Sequence, residues 1–469
     1  MDDDEAHIKG TLRERDREGE IAIVPTADSR GDARRVVSGM AAWKRGFSAL
    51  RHYRYRLFFG GQAISLFGWW IHMVAFGWVV YDLSDSEFTL GLINFMGAIP
   101  VLLLSVFAGA FADRVPKLKI LFTTQSGSMV LSATLATLAL GGWIQVWHIG
   151  AIGFGLGICS AFDIPARQSF IVELVGKDDL MNAIALNSSL FNAARVIGPA
   201  IGGIVISLFS APMCFLLNTF SYLGPLTTYS KIGLNYGKVH EEGKTGIGKA
   251  SLEAIQFVWE NRMLRAIMGM VVVSSIFGWP YSVLLPVFAR DILGSDASGY
   301  GMLMSANGIG AFLGAMTLAL FGNESRRFML FFGGVFTFPF GLMIFAASRL
   351  MWLSLLSLVL IGFGMIIFFA TANTSIQVRS PDRLRGRIMG IYTVCFIGIA
   401  PIGSLFSGAL AKMVSSPFTV TLDAIVVLIA AVWTYRSITK LRKNGNDALE
   451  FEEKREESGG SDAKKVPES

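Results

Sequence analysis

Long apolar runs alternate with short polar loops along most of this chain. About 18 or more apolar residues are needed for one helical crossing of a bilayer, and we count twelve runs that approach or exceed this length. They cover 57–80, 90–112, 120–141, 146–163, 183–208, 213–229, 264–289, 300–321, 328–347, 350–373, 388–411 and 418–436. Because lipid offers no partner for an unpaired backbone group, each run is predicted to be a helix. The predicted fold class is an all-α integral membrane protein.

Lys and Arg are distributed unevenly over the loops between these runs. Almost all of them lie on the loops after the second, fourth, sixth, eighth and tenth runs, and the other loops carry only Arg290, Arg349 and Lys412. Cytoplasmic loops of membrane proteins carry an excess of Lys and Arg. The asymmetry predicts an even number of spans, with both termini in the cytoplasm.

Composition agrees with a membrane protein and argues against a nucleic-acid partner. The chain is 52% hydrophobic and only 16% charged, although its formal net charge is +6. A nucleic-acid-binding protein collects its basic residues on one face, whereas here they follow the alternate loops. We therefore expect membrane lipids and a small-molecule substrate as partners, no nucleic acid, and a monomer.

The chain is predicted to divide into five segments. Residues 1–56 form a cytoplasmic tail that is first disordered and then basic and amphipathic, and residues 438–469 form a second disordered tail. The amphipathic part, 40–56, suits either a short helix on an anionic membrane surface or a basic lead-in that orients the first span. The longest loop, 230–263, separates six spans in 57–229 from six spans in 264–437.

A charged segment, GAFADRVPKLK at 109–119, separates the second and third runs. It resembles the cytoplasmic loop between helices 2 and 3 of the major facilitator superfamily, usually Gly-x-x-x-Asp-Arg-x-Gly-Arg-Arg/Lys. It departs from that form at Pro116, where the family has Gly, and at Lys117, where the family usually has Arg. The resemblance implies twelve transmembrane helices in two pseudo-symmetric six-helix bundles, with the substrate site between the bundles.

The same resemblance implies a gating latch near the cytoplasmic surface. Gly109 would let another helix approach closely, and Asp113 would face the start of span 11. That carboxylate would gain about 0.3–2 kcal/mol from the helix N-terminus there. Such contacts form in the outward-facing state and break in the inward-facing one; the alternative is that Asp113 and Arg114 only orient the loop. The predicted latch residues are Gly109, Asp113, Arg114, Lys117, Arg385 and Arg387.

A second motif lies in span 5. Residues 198–203, GPAIGG, combine a proline kink with positions that lack a side chain on a tightly packed helix. This segment resembles the span-5 signature of exporters in the superfamily rather than importers. Its predicted functional residues are Arg195, Gly198, Pro199, Gly202 and Gly203.

Further segments narrow the resemblance. Residues 162–175, 180–188, 68–81 and 379–387 resemble the branch that contains bacterial enterobactin exporters and macrolide or multidrug efflux pumps. The resemblance runs from Arg54 to Arg436. It implies a multi-pass protein of the bacterial inner membrane that exports a siderophore or drug in exchange for protons.

Ionisable groups within the spans are candidates for proton coupling, because an unpaired charge in the membrane is costly. They are Asp163, Arg195 and His72. Asp163 is the expected partner of Arg195, and a purely structural ion pair between spans 4 and 5 is the alternative. A lone membrane histidine such as His72 can equally be a hydrogen-bonded packing residue. Asp423 is expected at a solvated span end.

Polar and aromatic side chains within the spans are candidates for the substrate cavity. They are Trp69, Trp70, Asn192, Asn218, Asn307, Asn373 and Gln377. The sequence does not distinguish residues that face a cavity from those that face lipid or another helix.

Three alternatives remain beside proton-coupled export. A nutrient or metabolite importer of the same fold is disfavoured by the span-5 motif. A non-transporting membrane sensor would carry a folded domain outside the membrane, and neither tail has the composition of one. An intramembrane enzyme would cluster His, Cys or paired acids at one depth, and the histidines are scattered. We expect no enzymatic activity, no metal and no cofactor. The sequence lacks a Gly-x-x-x-x-Gly-Lys-Ser/Thr phosphate loop, so we expect the proton gradient rather than ATP as the energy source.

Overall fold

The computed structural model describes residues 47–176, 178–233 and 247–443. Apart from Phe47 and Ser48, which belong to a separate N-terminal unit, all of these residues lie in one compact unit. Residues 1–46 of the predicted tail 1–56, residues 444–469 of the predicted tail 438–469, and residues 234–246 of the central loop lie outside the described residues. The predicted disorder of the two tails therefore stays a prediction.

The described chain is helical. After a 3₁₀ turn at Ser48–Arg51, the long helices follow one another with short connections. They are α1 Tyr53–Ser84, α2 Glu87–Arg114, α3 Lys117–Leu140, α4 Val146–Val175, α5 Leu180–Leu208, α6 Ala211–Ser221, α7 Leu223–Ile232, α8 Ile247–Glu260, α9 Arg262–Ile292, α10 Ala297–Phe321, α11 Arg327–Ala347, α12 Met351–Arg379, α13 Arg383–Met413 and α14 Ser416–Lys443. Within the described ranges no strand occurs, which confirms the predicted all-α membrane fold.

Ten of the described helices are long and apolar enough to cross a membrane. The predicted third span corresponds to α3, which is rich in Ser and Thr. The predicted sixth span is divided into α6 and α7, of 11 and 10 residues. Neither of these two regions has the length and apolarity of the other ten, so the count of twelve spans stays a prediction.

Side-chain caps set several helix starts. Ser86 accepts a hydrogen bond from the Thr89 backbone N–H before α2, and Asn261 accepts one from Leu264 before α9. Asp296 accepts from both Ser298 and Gly299 before α10. Such caps satisfy backbone donors that the first turn of a helix leaves unpaired.

Helices α1–α7 pack mainly on one another, as do α9–α14. We call these two groups the N-half and the C-half. They meet where α5 contacts α10, where α2 contacts the second part of α13, and where residues 281–287 of α9 contact α1 and α2. The five-segment division with its exact boundaries stays a proposal.

Two differences from the predicted organisation concern helix extent. The central loop contains the helix α8, whose contact with the first part of α13 was not predicted. Helix α14 continues to Lys443, into the segment predicted as the C-terminal tail. Helix α8 forms next to an apolar span, and α14 continues beyond one. Hydrophobicity alone does not mark where such helices begin or end.

The two ends of the helices are distinguished below by their loops. The basic end carries the connections after α2, α4, α7, α10 and α12, and the opposite end carries those after α1, α3, α5, α9, α11 and α13. Contacts between the loop regions after α1 and α9, and between those after α5 and α9, show that these connections lie at one end.

Candidate functional site

A cavity of about 240 Å³ lies between the two halves. Its walls come from α1, α2 and α5 on one side and from α9, α10 and α12 on the other. The lining is largely aromatic and aliphatic, and Arg195 is the one charged residue among the described residues that form it. The aromatic and polar side chains used below are Trp69, Trp70, Arg195, Trp279, Tyr281, Tyr300 and Asn307.

Two consecutive hydrogen bonds join the halves at the cavity wall. Arg195 Nη2 donates to Asn307 Oδ1 at 2.7 Å, and Asn307 Nδ2 donates to Tyr281 Oη at 2.6 Å. Asn307 and Tyr281 are buried and Arg195 is half-buried. These two hydrogen bonds therefore connect α5 of the N-half to α10 and α9 of the C-half.

The glycines of the span-5 motif bring α5 close to two neighbours. A Cβ at Gly198 would lie 2.5 Å from Cβ of Trp70, and one at Gly202 would lie 3.2 Å from the Ile71 carbonyl oxygen. A Cβ at Gly203 would lie 2.8 Å from the Ala297 carbonyl oxygen of α10. The motif thus packs α5 against α1 within the N-half and against α10 across the interface, and it sets the position of Arg195 one turn earlier.

Some of the residues predicted to line the substrate cavity do line the observed cavity. Trp69, Trp70 and Asn307 do so, whereas Asn192, Asn218, Asn373 and Gln377 are not among the lining residues. Asn218 is buried within the N-half beside Ser132, at 3.3 Å, and Asn373 accepts from Gln377 at 2.5 Å. Asn192 donates to the Ser188 carbonyl oxygen at 2.8 Å. Asn192 shares α5 with the lining residue Arg195, and Asn373 and Gln377 share α12 with the lining residue Met365. They lie on other faces of these helices.

The structure pairs the coupling candidates differently from the expected Asp163–Arg195 pair. Asp163 is buried and accepts from Arg167 Nε at 2.8 Å, Gln125 at 2.9 Å and Thr124 at 3.1 Å. Arg167 follows Asp163 by one turn of α4, so the local pair is available without another helix. Any coupling role of Asp163, Arg195 or His72 stays a prediction.

His72 and Asp423 are both buried. The His72 ring packs near Phe76 and Phe215, and its Nδ1 has no hydrogen-bond partner among the described residues. Asp423 is only 2% exposed and accepts from Ser407 at 2.9 Å. The expectation of a solvated position for Asp423 was wrong, because the side chain is buried and hydrogen-bonded to Ser407 of the neighbouring α13.

The predicted latch residues are spread along the basic end. Lys117 is buried and pairs with Glu173 at 2.9 Å, and Arg385 Nε donates to the Gln377 carbonyl oxygen at 3.3 Å. Arg114 is exposed and Arg387 is half-buried. The prediction expected another helix to approach Gly109 closely, but among the described residues none does, since a Cβ there would meet none of them within 4 Å. The side chain of Asp113 lies outside the described residues, so the latch stays a prediction.

Helix α8 makes the described ion pair at the start of α13. Glu253 accepts from Arg383 Nη1 at 3.0 Å and from Arg383 Nη2. This hydrogen-bonded guanidinium lowers the pKa of the Glu253 carboxyl below its ordinary value. Both side chains are exposed, so the pair is screened by salt.

A cluster at the opposite end was not predicted. Tyr81 Oη donates to Asp291 of α9, Arg290 Nε donates to Asp291 at 2.8 Å, and Arg290 Nη2 donates to Asp85. The Arg290 guanidinium carbon also lies 4.1 Å from the Tyr81 ring centroid. We call Tyr81, Asp85, Arg290 and Asp291 the end clasp. A sequence signal existed, since Arg290 is one of only three basic residues on the loops of that side, with Arg349 and Lys412.

Solved structures share this fold. They include a bacterial homologue of the human lysosomal transporter Spinster in an inward-facing, unoccupied conformation (TM-score 0.61, 13% identity, 84% of this chain and 98% of that chain). The POT family transporter PepTSo is also similar (TM-score 0.66, 13% identity, 84% of this chain and 99% of that chain). At these identities the likeness concerns the fold alone.

Sequence comparison gives the family. The profile described as "Transmembrane secretion effector" matches residues 44–458, and the chain belongs to this family of the major facilitator superfamily. This membership confirms the resemblance found in the sequence.

Curated relatives are transporters of small molecules. The staphyloferrin A transporter of Staphylococcus aureus is 26% identical over 75% of this chain and 87% of its own length. The multidrug efflux pump Tap of Mycolicibacterium fortuitum is 23% identical over 73% and 85%. The putative bacilysin exporter BacE of Bacillus subtilis is 23% identical over 85% and 96%.

Proposed function

We propose that this protein exports an amphipathic small molecule, a siderophore or a drug, across the bacterial inner membrane by proton-coupled alternating access. The observation that carries the proposal is the cavity between the halves, with apolar walls and a few polar groups, as small-molecule sites have. Relatives named as a siderophore transporter, a drug efflux pump and an antibiotic exporter support the substrate class.

The distribution of contacts between the halves supports alternating access. The end clasp, the Ser207–Asp296 hydrogen bond and the close approach of Gly203 to Gly301 all lie between the cavity and the opposite end. An interface concentrated at one end is what one state of a rocking transporter requires. With both termini in the cytoplasm, as the basic loops predict, this state would be the inward-facing one.

The test uses everted inner-membrane vesicles with an acidified interior and a pH-sensitive dye. Catecholate and hydroxamate siderophores, macrolides, tetracyclines and lipophilic cations are added singly, and vesicles from cells with the empty vector are the control. A dye response that requires both the protein and one compound would support proton antiport of that compound. Absence of any response across the panel would count against proton coupling to these classes.

Direction is tested separately with a radiolabelled compound. An exporter accumulates it in everted vesicles and an importer accumulates it in right-side-out vesicles, each under its physiological gradient. Accumulation only in right-side-out vesicles would overturn export and favour the importer of the same fold.

A further inference from the structure

Arg195 stands apart from the other buried cations of the described chain. Lys117 pairs with Glu173, and Arg167 pairs with Asp163. Arg195 faces instead the neutral amide of Asn307, and among the described residues it makes no ion pair with a carboxylate. A guanidinium in proteins is always charged and offers five donors in a planar fork. The single hydrogen bond to Asn307 therefore leaves most of the donors of Arg195, and its full charge, available at the cavity wall.

A second donor belongs to a residue that lines the same cavity. The indole N–H of Trp70 is buried and has no hydrogen-bond partner among the described residues. Trp70 lines the cavity, and its Cβ lies against Gly198, which follows Arg195 by one turn of α5. Buried polar groups are ordinarily paired, so an indole donor without a partner, on a residue that lines the same cavity as Arg195, indicates a missing acceptor.

The rest of the cavity wall is largely apolar. Trp69, Trp279, Tyr300 and aliphatic side chains provide flat apolar surface, and no acidic residue is found among the described residues that line the cavity. A cationic ligand would meet Arg195 without any compensating carboxylate.

From this geometry we infer that the cavity binds small organic anions, with the carboxylate on Arg195 and Trp70 and an aromatic or apolar body against the opposite wall. This inference rests on the proposed transport function and names its substrate class. A carboxylate accepts two parallel hydrogen bonds from a guanidinium. Bound there, it would neutralise a charge that the protein leaves without a partner.

Binding to the purified protein in phosphatidylcholine nanodiscs provides the test. Three matched probes share a dansyl ring: dansylglycine, its methyl ester, and a dansyl trimethylammonium analogue. Energy transfer from tryptophan to dansyl reports binding, since Trp69, Trp70 and Trp279 line the cavity. We expect dansylglycine to bind about tenfold more tightly than the ester, and the cation to bind least.

Three cavity variants separate charge from packing. Arg195→Gln should remove the preference for the acid over the ester, and Arg195→Lys should keep part of it. Trp70→Phe keeps an aromatic ring without the N–H and should weaken the acid a few-fold while leaving the ester unchanged. Arg436→Gln removes an exposed charge remote from the cavity and is the matched control.

Two results would overturn the inference: equal affinity for the three probes, or a preference for the acid that persists in Arg195→Gln. Failure of every probe to bind the wild type would overturn it as well. Because binding is measured without a gradient, failure of proton-coupled export in vesicles would leave a positive binding result intact. The two proposals can therefore fail independently.

Discussion

Gly203 of α5 and Gly301 of α10 lie backbone to backbone across the interface between the halves. A Cβ built on Gly203 would lie 3.2 Å from Cα of Gly301, and one on Gly301 would lie 3.0 Å from Cα of Gly203. The closest atoms are backbone, the Ala297 carbonyl oxygen at 2.8 Å and the Pro199 carbonyl oxygen at 2.5 Å. Neither helix can admit a methyl group here without moving.

Gly301→Ala should therefore lower the stability of the structure. Overpacking a close interface typically costs about 1–3 kcal/mol, and we expect a lower melting temperature in detergent. Gly333→Ala in α11 is the matched control, because a Cβ there would meet nothing within 4 Å. An unchanged melting temperature for Gly301→Ala would show that the two helices do not pack this closely.

Arg290→Gln should loosen the closure at the opposite end, since Arg290 connects Asp291, Asp85 and the ring of Tyr81 in the end clasp. Hydrogen bonds to charged groups contribute about 1.5–3 kcal/mol each. Labelling of a cysteine placed at Ser282, a cavity-lining position, reports access from that end. The native Cys159, Cys214 and Cys395 are first replaced by Ala.

We expect a membrane-impermeant reagent added at the opposite end to react about tenfold faster in Arg290→Gln, as 1.4 kcal/mol in the opening equilibrium would give. Asp85→Asn is the internal comparison. The Asp85 side chain is 77% exposed, so its ion pair should contribute much less. Equal labelling rates in the wild type and Arg290→Gln would remove the closing role of the end clasp.

Asp423→Asn should leave the protein at least as stable as the wild type. Asp423 is buried, its Oδ2 accepts from Ser407 at 2.9 Å, and its Oδ1 has no partner among the described residues. An asparagine retains an acceptor for Ser407 and removes a group whose charged form is costly to bury. The melting temperature of purified protein tests this. A clear decrease with Asn, but not with Ser407→Ala, would mean that the carboxylate itself is needed.

The contact between α8 and α13 should weaken in acid. The folded-state pKa of Glu253 is lowered by Arg383, so its stabilisation is fully present above the unfolded pKa of about 4.3 and is lost as pH falls through the folded-state pKa. Hydrogen exchange of residues 247–260 at pH 7 and near pH 3 measures the loss. Glu253→Gln, which cannot ionise, should show less of this pH dependence; an identical pH response in both proteins would contradict the ion pair's contribution.

Periodicity and glycine content made several features predictable. The apolar runs predicted the helices, because a segment that must satisfy its backbone in lipid has few options. The motif at 198–203 indicated a closely packed helix, since glycines at such spacing serve little else in an apolar segment. Trp69, Trp70, Asn307 and Arg195 were among the candidates that the structure brings to one cavity.

Other features depended on neighbours distant in sequence. Arg195 and Asn307 are separated by 112 positions, and Tyr81 and Asp291 by 210. Asn192 and Asn218 looked as suitable for a cavity as Asn307 did, but helix rotation directs them elsewhere. A hydrophobic pattern indicates that a helix is buried in the membrane or the protein. It does not show which side of the helix meets lipid, a neighbouring helix or a cavity.

The sequence by itself determined that this chain is a helical membrane protein, because crossing lipid constrains length, apolarity and backbone pairing locally. The motifs at 109–119 and 198–203 carried its resemblance to the major facilitator superfamily. Only the tertiary structure decided that Asp163 pairs with Arg167, that Asp423 is buried, and that Arg195 faces the cavity without a carboxylate. These outcomes depend on the rotation and packing of whole helices. Those are set by many weak contacts between distant segments, and no local pattern in the sequence records their sum.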